Sequence, residues 1–100
     1  MDWCGKSDSA IIAELGSRLK EVRLRKNFTQ EELAKRSGIG TGSVHKVESG
    51  KVVSFAILVA VMRTLRLLDN FDTFIPKPYL SPVELLKSKG KARRRASKIK

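Results

Sequence analysis

Five residues near the middle of the chain, Thr41, Gly42, Ser43, His45 and Lys46, are polar or small, and Val44 and Val47 interrupt them at helical spacing. Such a strip presents hydroxyl, imidazole and ammonium groups on one side and apolar anchors on the other. It can form hydrogen bonds without bulk, which suits a helix laid in a DNA major groove, where each base pair shows its own pattern of donors and acceptors. Catalysis is not indicated. His45 is the only histidine, and no paired carboxylates, glycine-rich phosphate loop or metal-ligand spacing accompany it. Cys4 is the only cysteine, so neither an intramolecular disulfide nor a cysteine metal cluster is expected. These residues point to a binding protein with no cofactor, rather than an enzyme.

The elements that must position the strip can be read on either side of it. Ser7, Asp8 and Ser9 offer N-caps for a first helix, along which Ile11, Ile12, Leu15, Leu19 and Val22 share one face. Asn27 is a plausible stop. Thr29-Gln30-Glu31-Glu32 has the form of a capping box opening a second helix, which closes near Ser37 because Gly38 can turn left-handed. Ala34 is small where a second and a third helix would cross. The third helix is expected over 41–49, pinned by Ile39, Val44 and Val47 and closed by Gly50. Two short helices joined by a tight glycine-containing turn make a helix-turn-helix pattern. Ser54 caps a fourth helix, expected over 55–67, whose wide apolar face includes Phe55, Leu58, Val59, Met62 and Leu65. A short fifth helix is expected over 69–74. Pro76, Pro78 and Pro82 then forbid a long helix, and Ser81-Pro82 reads as an N-cap and first helical position for a short one.

The 100 residues carry a net charge of +11, of which residues 87–100 supply +8 with no acid, leaving +3 for the rest. An acidic partner is implied: nucleic acid by default, an anionic membrane surface as the alternative. The basic end has almost no apolar face to insert in lipid, which disfavours the membrane. No apolar run approaches the ~20 residues of a membrane span, and residues 1–9 show no secretory signal, so a cytoplasmic location is expected. The chain divides into a domain over 7–75, a dimerisation or partner-contact segment over 76–87, and a basic tail over 88–100 expected to be disordered when unbound.

The run Phe28-Thr29-Gln30-Glu31-Glu32-Leu33-Ala34, then Ser37-Gly38-Ile39-Gly40, then Val44 through Lys51, resembles the XRE family of lambda-repressor and Cro-like regulators, over about residues 12–75. The resemblance implies an all-α, five-helix domain that binds double-stranded DNA as a homodimer, with 41–49 as the recognition helix. By position, Thr41, Gly42, Ser43 and Lys46 match residues that touch base edges or nearby phosphates, and His45 is a further groove candidate. Gln30 matches a position that grips a phosphate and buttresses the recognition helix, and Lys51 a phosphate contact. Thr29, Arg23 and Ser49 complete the phosphate candidates, with Lys35 a weaker one. The sequence also departs from the family. Gly42 has no side chain to read a base, Lys46 lacks the planar fork of arginine, and Val53 stands where a proline is common. Thin direct readout leaves more to DNA shape. Glu48 is out of place beside DNA, and its expected role is to pair with a first-helix cation such as Arg23.

Leu68-Asp69-Asn70-Phe71-Asp72 with Leu80-Ser81-Pro82-Val83-Glu84-Leu85-Leu86 and the basic end resembles, more weakly, antitoxins paired with a kinase-type toxin of the HipA class. Two expectations follow. The first is a homodimeric repressor that recognises a palindromic operator, commonly its own promoter. The second is an antitoxin that restrains a toxin. Phe71, Phe74, Ile75 and the Tyr79-Leu80 stretch are the expected dimer surface.

Overall fold

The computed structural model describes residues 2–78, which form helices α1 (Asp8–Arg25), α2 (Gln30–Ser37), α3 (Thr41–Glu48) and α4 (Phe55–Thr64), a 3-10 turn (Leu68–Asn70) and a four-residue α5 (Phe71–Phe74). The described chain is all-α, with the helices in a lambda-repressor-like order. The expectations for the segment after Pro78, including the short helix, the basic tail and Tyr79-Leu80, lie outside the described residues.

Helices α1, α2 and α4 each begin where a side chain takes up an orphan backbone donor. Ser7 caps α1 through Ala10 N–H, and Ser54 caps α4 through Ile57 N–H, each at 3.2 Å. At α2 the capping box is complete: Glu32 N–H donates to Thr29 Oγ1 at 3.0 Å and Thr29 N–H donates to Glu32 Oε1 at 2.8 Å.

Four helices are followed by a residue in the left-handed region. Gly38 (φ 72°) follows α2 and Gly50 (φ 78°) follows α3, as the sequence suggests. After α4 the left-handed residue is Arg66 (φ 62°), and Leu67 N–H donates back to the Met62 carbonyl at 2.8 Å. This closure stops α4 at Thr64, short of the expected 67. A sequence reading looks for glycine at that place and finds arginine, so the stop carries no local signal. Asn27 (φ 60°) turns the chain in the same way after α1.

The core is the meeting point of α2, α3, α4 and the middle of α1. Leu19, Leu33, Ala34, Val44, Val47, Val61 and Leu65 are buried there, with Val44 and Leu65 wholly so. Removing a leucine or valine side chain from water contributes about 1.5–3 kcal/mol each. Two expectations need correction. Phe55 is 61% exposed: it is the first residue of α4 and lines an open hollow beside α1, and Val61 takes the core position in that helix. Ile12 and Leu15 share a face with Leu19, yet both are over a third exposed, since α1 rests on α3 and leaves its outer apolar edge uncovered.

α1 and α3 approach very closely. A Cβ at Gly16 would be driven into the Val47 carbonyl oxygen, and one at Gly50 would meet the backbone of Ala13 at 2.9 Å. The position of α3 is thus fixed by backbone-to-backbone contact with α1.

Candidate nucleic-acid interface

α3 turns Val44 and Val47 into the core and leaves Thr41, Gly42, His45 and Lys46 exposed, with Ser43 half-buried. The valines fix the rotation of the helix, so the outward side chains are presented by a rigid element. Its N-cap is Gly40, which offers no side-chain hydrogen bond. No capping side chain therefore occupies the first-turn N–H groups, and a helix start in that condition favours an anionic neighbour.

A buried polar cluster holds the end of α3 to the start of α2. Arg23 Nε donates to Glu48 Oε2 at 2.6 Å and Arg23 Nη2 to Glu48 Oε1 at 3.1 Å. Gln30 Nε2 donates to the same Oε1 at 2.9 Å, and Arg23 Nη1 to the Phe28 carbonyl at 2.7 Å. The two charged side chains are 7% and 4% exposed. A guanidinium that meets a carboxylate through two parallel bonds is geometrically specific. Here it joins α1, the α1–α2 turn, α2 and α3 around one acid. The pairing expected for Glu48 is therefore present, and no buried side-chain polar atom among the described residues lacks a partner.

That geometry revises the expectation for Arg23. It is 6% exposed and its three nitrogens are directed at protein acceptors, so it positions the site and does not reach a phosphate. Gln30 is half-buried and acts as a buttress, while its amide nitrogen retains a second hydrogen for an outside acceptor. Thr29 is exposed, and its hydroxyl oxygen accepts within the capping box, which leaves its hydrogen to donate. Ser49 is exposed but its hydroxyl donates to the His45 carbonyl at 2.7 Å, so a phosphate would have to compete for that hydrogen. The same oxygen lies 3.3 Å from His45 Nε2, which sets the imidazole along the helix. Lys51 is exposed just past α3, and its N–H donates to the Lys46 carbonyl at 2.9 Å. Lys35 is exposed on α2.

The structure thus gathers Thr29, Gln30, Thr41, Gly42, Ser43, His45, Lys46 and Lys51 around the α2–α3 pair. Gly16 was not among the sequence candidates, although it sets the seat of α3. Its signal is a glycine in a helix interior, which costs about 1 kcal/mol against alanine unless close packing requires it.

Two short helices crossing at a glycine turn, the second with a buried apolar edge and an exposed polar one, define a helix-turn-helix DNA-binding protein. The sequence model of the helix-turn-helix domain family matches residues 14–70, more than half of the chain, and the chain belongs to that family. No curated protein matches it. Among the described residues, no helix is long and apolar enough to cross a membrane.

Proposed function

We propose that the protein is a homodimeric, sequence-specific transcriptional repressor of the XRE type, acting in the cytoplasm, that places α3 and the following Ser49 in the major groove of its own promoter. The observation that carries this reading is the exposed strip of Thr41, Gly42, His45 and Lys46 on a helix whose C-terminal end is tied to α1 and α2 through Glu48. Lys46 donates to guanine O6 or N7, His45 and the hydroxyls of Thr41 and Ser43 supply further contacts, and Thr29, Gln30 and Lys51 hold phosphates on either side. Gly42 contributes close approach of the helix backbone. Repression follows from occluding polymerase, and the protein performs no catalysis.

A dimer would set two copies of α3 about 34 Å apart, one turn of B-DNA, so the operator would be palindromic. Phe74 and Ile75 are 57% and 65% exposed and supply apolar surface for such contact. Selection of binding sites from a random duplex pool, followed by footprinting, tests the reading. Two inverted half-sites about 10–11 base pairs apart are expected. A single asymmetric site contradicts the dimer, and failure to enrich any sequence contradicts specific recognition. The second reading, an antitoxin of the HipA-type class, rests on the likeness of residues 68–72 and 80–86 to that subgroup. Co-purification with a toxin kinase encoded next to this gene would favour it.

A further inference from the structure

An apolar trough runs along α1 beside α4 and α5, and no described segment fills it. It consists of two adjoining hollows of about 210 and 310 Å³, both lined by Leu15, Leu19 and Leu58. Val52 and Phe55 wall one end, and Met62, Leu67 and Phe74 wall the other. An apolar cavity of about 150 Å³ already holds a benzene-sized group, so the trough admits several aliphatic side chains.

We propose that residues 79–86 of the same chain dock in this trough. Phe74 lines it, and only residues 75–78 separate Phe74 from Tyr79, so the chain after Pro78 starts at its edge. The composition of that continuation fits the lining. Tyr79, Leu80, Val83, Leu85 and Leu86 fall within its first eight residues, with Glu84 as the only charge. Residues 87–100 then carry eight cations and only two alanines and one isoleucine as apolar residues, and an apolar trough excludes such a run. The docked part therefore ends at Leu86. Its reach is sufficient even with the short helix expected from Pro82: three extended residues and five helical ones span roughly 17 Å, while the ten residues of α4 rise about 15 Å. The far hollow is also lined by Val47 and Lys51 at the end of α3. A segment that follows the trough releases residues 87–100 on the side that carries α3, where their charge adds to phosphate binding. That consequence rests on the DNA-binding reading; the docking does not.

A nitroxide placed on the full chain tests it without DNA. In a Cys4→Ser background, Ser88→Cys carries the label next to the docked segment, and methyl spectra report its neighbours. The Leu15, Val52 and Leu58 methyl signals are expected to lose most of their intensity while those of Leu33 and Ile39 keep theirs, and Leu85→Glu with Leu86→Glu is expected to restore them. Equal broadening everywhere, or none along the trough, overturns the proposal. Mixing isotope-labelled chains that lack the nitroxide with nitroxide-bearing chains that lack the isotope separates the two sources. Trough broadening in that mixture means that a second copy's segment is the occupant, which overturns the same-chain assignment.

Discussion

Glu48 accepts three hydrogen bonds in a nearly dry site, from two nitrogens of Arg23 and one of Gln30. A buried pair of this kind adds little net stability over an apolar replacement, but breaking it by removing one partner leaves a charge uncompensated. Arg23→Met or Glu48→Leu alone is therefore expected to cost about 3–5 kcal/mol in denaturant unfolding, and the double substitution much less than the sum. Additive losses would show that the pair does not act as a unit. The double variant is also expected to fold yet bind operator less tightly, because α3 loses its polar tether to α1 and α2. At the groove face, Lys46→Ala is expected to weaken operator binding roughly 10- to 100-fold if the ammonium reads a base. The same loss on random duplex would mark Lys46 as a phosphate contact.

The helices are set by their ends and by one point of close approach. Thr29→Ala removes half of the capping box and is expected to lower stability by about 1 kcal/mol in thermal or denaturant unfolding. Gly16→Ala forces a methyl group against the Val47 carbonyl, where neither backbone can yield cheaply. It is expected to cost about 1–3 kcal/mol and to shift α3, so operator affinity should fall beyond what instability alone explains. Unchanged affinity would contradict the role given to the α1–α3 contact. Most of these elements were legible in the sequence because their signals are local: Ser7, Thr29 and Ser54 as caps, Gly38 and Gly50 as stops, Val44 and Val47 as the inward edge. The end of α4 was not, because Arg66 occupies a left-handed position usually read from glycine. Nor was the exposure of Phe55, Ile12 and Leu15, since periodicity identifies an apolar face but not whether another element covers it. Arg23 shows the same limit within the candidate site. The sequence allowed Arg23 two roles, phosphate candidate and partner of Glu48, and only its burial in the fold selects the second.

On the proposed function, the whole molecule combines a specific reader with a general polyelectrolyte. The +11 charge, most of it in residues 87–100, should make binding to any duplex steeply salt-sensitive, since each phosphate neutralised releases counterions. A chain lacking residues 88–100 is expected to retain its preference among sequences while losing affinity and slope in a plot of affinity against salt. Loss of the preference itself would place specificity in the tail. The central claim, that α3 reads sequence, is tested most directly by fluorescence anisotropy with the protein's own upstream DNA and a scrambled duplex, from low to about 0.15 M salt. A preference for the upstream DNA of about a thousandfold or more, persisting at the higher salt, is the predicted result. Equal affinities for the two duplexes that collapse together as salt rises would contradict it.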